Sequence, residues 1–227
     1  MPVGDAVRTR GLPGRRVLVG LLVILVAAVV PAVFVPTLMC RPPDPELKQL
    51  GQVPPFQLID DRGETFTEEA LRGHPTIVSF IFTRCDNICP VITGKMEKLV
   101  EKLGDRKAAP IKFLSISVDP VYDTPERLAT YGATFHADPA RWRFLTGPLD
   151  KVHSLVEGPF MISMQRDGKT ASGAPSISHQ GYLLLVDGDL QIRGVYDADD
   201  TIRLDELTHH ARFLARTHRS YKFGGGP

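Results

Sequence analysis

No charged residue occurs between Arg16 and Arg41, and residues 17 to 35 (VLVGLLVILVAAVVPAVFV) are apolar almost throughout. A helix needs about 20 such residues to cross the hydrocarbon of a bilayer, and an uncharged run this long fits poorly in a globular core. A cleaved leader has an apolar region of roughly 7–15 residues ending at a small-x-small site. Here the run is longer, and PTLMC (36 to 40) offers neither that site nor the small residue that lipid attachment wants just before Cys40. The expectation is a transmembrane signal anchor over residues 17–38, kinked near its far end by Pro31. Arg8, Arg10, Arg15 and Arg16 against Asp5 make residues 1–16 a basic tail, which the positive-inside rule keeps in the cytoplasm. The rest of the chain then faces a compartment where thiols can be oxidised.

Composition narrows the exported part. The 227 residues hold 27 Lys+Arg against 26 Asp+Glu, a net charge of +1, which excludes the dense basic surface that nucleic-acid binding needs. Hydrophobic residues make up 43 %, enough for a packed core, and three cysteines are too few for a disulfide scaffold. Residues 39–55, with Pro42, Pro43, Pro45, Pro54 and Pro55, read as a stiff spacer. Residues 56–217 are the size of one domain, and 218–227, ending in Gly224-Gly225-Gly226, read as a flexible tail.

Within the domain, strand and helix patterns alternate. Residues 75–83 (PTIVSFIFT) and 111–118 (IKFLSISV) are short β-branched and aromatic runs of the kind buried on both faces of a sheet. Ile92, Met96, Leu99, Val100 and Leu103 recur at helical spacing. Thr124-Pro125 opens a helix to about Phe135, with the threonine as cap and the proline at the first helical position. Trp142–Leu145 is a brief strand and Leu149–Val156 a brief helix. Residues 182–196 read as a hairpin about Asp187-Gly188-Asp189, and Leu204 to Leu214 as a closing amphipathic helix. The order predicts an α/β domain with a mixed central sheet flanked by helices. Residues 160–176 read as a loop.

Cys85 and Cys89, in TRCDNICP, fall where the first buried strand ends and the next helix begins. Sheets of this kind place ligands beyond the carboxyl ends of their strands. Pro90 belongs in the first helical turn or just before it. A helix N-terminus stabilises thiolates, so both sulfurs are expected to have lowered pKa values. The pair serves either of two chemistries. A thiol–disulfide exchanger uses one sulfur to attack and the other to resolve. A soft-metal site uses both as ligands, and zinc fits as well as copper(I). A third ligand would decide. Of the seven histidines, His209, His210 and His218 lie on or after the closing helix, where a solvated face is the simpler reading. His74, His136 and His153 have no local partner in sequence. His179 precedes the hairpin in a polar loop, and spacing leaves it open between a metal ligand and a loop histidine capping backbone. Met161 and Met164 read as packing residues, and Cys40 as a bystander at the end of the anchor.

CDNICP, SISVDPVYDTPERLATYG (115 to 132), WRFLTG (142 to 147) and SHQGYLLLVDGDLQIRGVYD (178 to 197) resemble, in order, the motifs of SCO/SenC proteins. These are membrane-anchored copper chaperones for cytochrome c oxidase assembly, with a thioredoxin-like fold. The resemblance covers roughly residues 50 to 215 and implies a metal site of Cys85, Cys89 and His179. One copper is expected per domain, with Cys85 and Cys89 also forming a redox-active disulfide. Asp119 and Asp86 are candidate supporting residues around that metal; for Asp119 a turn-former before Pro120 is the simpler reading, and Asp86 can equally face water. The implied partner is oxidase subunit II through its binuclear copper site, with another periplasmic copper chaperone or a thiol reductase as further candidates. Together with the anchor this implies a single pass through a bacterial inner membrane, the C-terminal domain in the periplasm. Such a protein is a metallochaperone rather than an enzyme. The alternatives are a thiol–disulfide reductase that keeps the acceptor cysteines reduced, and a redox or copper sensor.

Overall fold

The structure is a computed structural model and describes residues 14–39, 44–104, 111–160, 165–169, 175–178 and 181–223. The chain forms two compact units, Met1–Asp44 and Pro45–Pro227. The first holds a single described element, helix α1 (Gly14–Met39), whose side chains from Leu18 to Val30 are exposed. Among the described residues no helix is long and apolar enough to cross a membrane. Cys40 lies outside the described residues.

The second unit runs β1 (Gly51–Gln52), β2 (Gln57–Asp60), β3 (Thr65–Thr67), a 3-10 turn (Glu68–Leu71), β4 (Thr76–Ile81) and α2 (Ile88–Lys102). It continues with β5 (Lys112–Ser117), α3 (Pro125–Thr134), β6 (Trp142–Thr146) and α4 (Leu149–Glu157). It closes with β7 (Gln165–Lys169), β8 (Pro175–Ser178), β9 (Tyr182–Val186), β10 (Gln191–Asp197) and α5 (Thr201–Phe223). Eight strands make one mixed sheet in the order β1-β10-β9-β4-β5-β6-β2-β3, and β7 pairs with β8 apart from it. β4, β5 and β6 are parallel, joined by crossovers through α2 and α3. This is the mixed α/β sheet that the alternating pattern predicts.

All six residues of β4 are buried, which explains its unbroken apolar reading. Two buried polar side chains, one in β4 and one in β5, satisfy one another. Ser79 and Ser115 are paired in register, with hydroxyls 2.8 Å apart, and the Trp142 indole N–H donates to Ser115 Oγ at 3.0 Å. At the head of α3, Thr124 Oγ1 accepts from the Arg127 N–H at 3.4 Å and Pro125 fills the first helical position. The β9–β10 hairpin turns on Asp187, whose Oδ1 accepts from the N–H groups of Asp189 and Gln191, each at 2.9 Å.

Four sequence readings change. The proline-rich segment is not only a spacer: Gly51 and Gln52 pair with Ile192 and Gln191, and Val53 is buried. Residues 57–67 form a hairpin on the far edge, too short and too exposed on one face to give a clear period. The segment read as a loop after Phe160 contains the antiparallel pair β7–β8. The closing helix runs on to Phe223, into residues read as a tail, because nothing between Thr201 and Phe223 breaks it: the stretch holds neither glycine nor proline.

Candidate metal and thiol site

The sheet register decides which loops meet at the cysteines. β9 runs antiparallel to β4, with Thr76 opposite Val186 and Val78 opposite Leu184. The start of β9 therefore lies beside the end of β4, the strand that feeds Cys85. Gly181, just ahead of β9, packs on the first turns of α2: a Cβ built there would stand 3.3 Å from Ile92 Cδ1 and 3.7 Å from Ile88 Cδ1. His179 lies outside the described residues. Two residues of chain, at most about 7 Å, link it to Gly181.

Both cysteines are thiols. Cys89 is fully buried as the second residue of α2, Pro90 follows in the first turn, and Cys85 is partly exposed on the loop. The Cys89 N–H points at Cys85 Sγ, 3.5 Å away. The expectation of lowered pKa values fails for Cys89. Burial pushes its thiol well above the ordinary range, and the neighbouring Cys85 adds to the rise through a hydrogen bond and its charge. Desolvation outweighs the helix terminus here because the sulfur sits inside the core, where no water supports a thiolate.

Residues that the sequence reading did not single out frame the pair. Thr83 Oγ1 donates to Asp123 Oδ1 at 2.5 Å, and the Thr83 N–H reaches Asp123 Oδ2 at 3.1 Å. Burial raises the Asp123 pKa, while its hydrogen bonds from Ser117 and Thr83 oppose that rise. Arg84 Nε meets Asp119 Oδ2 at 2.7 Å, and its guanidinium lies 4.5 Å from the Tyr122 ring centroid. Asp119 thus carries a buried carboxylate tied to the residue before Cys85, while its backbone carbonyl accepts from Tyr122 and Asp123 as a turn-former does. Asp86 is exposed between the two cysteines. Behind the pair, Thr93 Oγ1 donates to the Cys89 carbonyl at 2.7 Å and sits 2.9 Å from the Tyr131 hydroxyl. Since the Thr93 proton is used, Tyr131 is the donor to it. The one available signal for Asp123 was the pairing of two aspartates in DPVYDTP directly after a buried strand.

The other candidates separate from this site. His136 pairs with Glu97 at 2.7 Å, and His210 Nδ1 lies 2.7 Å from the Tyr196 hydroxyl. His210 is not on a solvated face, because its ring packs between α5 and β10 against Tyr196. Met161 and Met164 lie outside the described residues, as does the side chain of His218. Among the described residues no three or more His, Cys, Asp and Glu side chains come together as a metal site.

The SCO1/SenC family model matches residues 45–212. The chain belongs to the SCO1/SenC family. Its domain is 30 % identical over 156 residues to the SCO1 protein homolog of Bacillus subtilis (strain 168), covering 69 % of this chain and 79 % of that one. Among solved structures, this SCO1/SenC domain resembles BsSco, a member of the Sco family of cytochrome c oxidase assembly proteins in which a disulfide switch has been identified. That likeness has a TM-score of 0.63 at 27 % identity and covers 75 % of this chain and 99 % of BsSco. It also resembles Arabidopsis thaliana ScoI solved with copper bound, with a TM-score of 0.59 at 27 % identity, covering 72 % and 98 % of the two chains. The shared architecture is the thioredoxin-like sheet flanked by helices.

Proposed function

We propose that this SCO1/SenC protein binds copper on Cys85, Cys89 and His179 and delivers it during cytochrome c oxidase assembly, to the binuclear copper site of subunit II. The observation that carries the reading is the cysteine pair itself. One sulfur is accessible and accepts from the Cys89 N–H at 3.5 Å, the other is buried, and Gly181, two residues from His179, packs on the same helix. Two thiolates and an imidazole form a soft donor set that suits copper(I), and a relative solved with copper bound supports that metal. The raised pKa of Cys89 means that copper must displace its proton, so loading releases acid and weakens as pH falls. Release follows exchange of these ligands for the cysteines of the acceptor. Asp119, through Arg84, steadies the loop from outside the donor set. A tether at α1 supports this role: the sequence has no charge from residue 17 to 40, with arginines on the N-terminal side, and its described apolar side chains are exposed. The domain then works at the periplasmic face of a bacterial inner membrane.

The contrast between the two sulfurs favours a second reading. The Cys85 thiolate attacks a disulfide of a partner, giving a mixed disulfide; Cys89 resolves it. The partner leaves with two thiols, having gained two electrons and two protons, and Cys85–Cys89 is left oxidised.

One experiment separates the two. The full chain in detergent, reduced, is titrated with copper(I) against a chromophoric chelator, and cells carrying each variant are assayed for oxidase. The expected result is one copper per chain, with affinity falling at least about tenfold in both His179→Ala and Cys89→Ser. If His179→Ala leaves copper affinity and oxidase assembly intact while Cys89→Ser abolishes function, the chaperone reading fails and the exchanger stands.

A further inference from the structure

We propose that Asp123 is a positioning residue, which grips the end of β4 at Thr83 and so fixes where Cys85 stands relative to Cys89. The proposal rests on the copper and thiol reading of that pair. The β4–β5 ladder ends at Ile81 opposite Ser117, with one further bond from the Val118 N–H to the Ile81 carbonyl. Beyond that point the two strands are no longer paired, and the cysteine loop lies outside the ladder. Asp123 stands in the gap, completely buried. Its Oδ1 accepts from the Thr83 hydroxyl at 2.5 Å, and its Oδ2 from the Ser117 hydroxyl at 2.5 Å and the Thr83 N–H at 3.1 Å. The carboxylate therefore takes donors from the last paired residue of β5 and from just past the end of β4. Ser117 Oγ accepts in turn from the Asp119 N–H at 3.1 Å, and the Asp123 N–H donates to the Asp119 carbonyl at 3.0 Å, so the grip is itself braced.

Only an acceptor with two oxygens serves three donors from two directions; an asparagine would turn its NH2 group against one of them. Thr83 is two residues from Cys85, whose N–H closes a turn onto the Phe82 carbonyl at 3.2 Å. A shift at Thr83 is carried through that turn to the sulfur. Metal sites tolerate little such movement, because ligand atoms must be held within about 0.5 Å of their working geometry.

The test uses the full chain in detergent with two readouts. One is copper(I) affinity by chelator competition, and the other is the equilibrium constant of the Cys85–Cys89 dithiol–disulfide couple against glutathione. Thr83→Val keeps the branched shape and removes the hydroxyl. It is expected to lower copper affinity about tenfold, equivalent to ~1.4 kcal/mol, and to move the glutathione constant by several-fold. Thr83→Ser restores the hydroxyl and should return both values to near wild type. A stabilising but otherwise passive contact would shift the unfolding midpoint and leave both readouts alone; that result in a folded Thr83→Val protein overturns the proposal. Should Thr83→Val not fold, Ser117→Ala withdraws a donor from the other strand, with a smaller shift in the same direction expected; no shift there overturns the proposal equally. If wild type takes no copper, the copper reading falls, and the glutathione constant alone decides the role of Asp123.

Discussion

The amide of Cys89 points at the sulfur of Cys85, 3.5 Å away, so the helix terminus serves the accessible thiol while burial governs the other. The two sulfurs should differ sharply in reactivity. Timed alkylation with iodoacetamide at pH 8, read by mass spectrometry of the reduced chain, is expected to modify Cys85 at least about tenfold faster than Cys89. Equal rates would mean that the loop opens faster than the reagent reacts.

Gly181 packs closely on α2, since a Cβ there would stand 3.3 Å from Ile92 Cδ1, so the isoleucine would have to give way. On the proposed copper reading, Gly181→Val should disturb the approach to α2 two residues from His179 and lower copper(I) affinity about tenfold, with the alkylation rates of the cysteines unchanged. Chelator competition on wild type and variant measures it, and an unaltered affinity would show that this contact does not hold the third ligand.

Ser115 joins Ser79 and Trp142 through hydroxyl contacts in the buried interior of the sheet. Ser115→Ala leaves a buried indole N–H and a buried hydroxyl to find other partners, and should cost about 1–3 kcal/mol in urea unfolding. Adding Trp142→Phe, which removes the stranded donor, should make the loss less than additive.

His210 carries a pH dependence of stability. Burial lowers its pKa, opposed by Glu206 and reinforced by His209 and Arg203. Its Nδ1 lies 2.7 Å from the Tyr196 hydroxyl and its Nε2 faces Glu206 at 4.0 Å. A folded pKa below the unfolded value means that acid favours the unfolded chain. The contribution of His210 is full above about pH 6.5, the ordinary histidine value, and is lost as pH falls through the folded pKa. Unfolding free energies measured at pH 7.5 and 5.5 should fall more for wild type than for His210→Gln. A parallel decline in both would assign the acid sensitivity elsewhere.

Where burial is uniform, the sequence was easy to read: β4 and nearly all of β5 are buried on both faces, and the cysteine loop follows from the strand that feeds it. The β2–β3 hairpin gave little signal, since strands of four and three residues with exposed faces carry almost no period. At the candidate site, residue types singled out the cysteines, but burial reversed the argument about the Cys89 thiol, and burial is a property of packing rather than of spacing. Asp123 and Thr83 are 40 residues apart and meet only because the sheet places β4 beside β5. A pattern confined to neighbours in sequence has no means of pairing them.

The position of β4 in the sheet also has a consequence for biogenesis. One side of this strand is covered by β5, which follows it closely, but the other is covered by β9, whose residues 182–186 come about a hundred positions later. A chain emerging from its N-terminus therefore presents Cys85 and Cys89 long before the strand that shuts their far side exists. Until those late residues dock, the strand that feeds the two thiols is covered on one side only. That interval lasts until nearly the whole domain has been made.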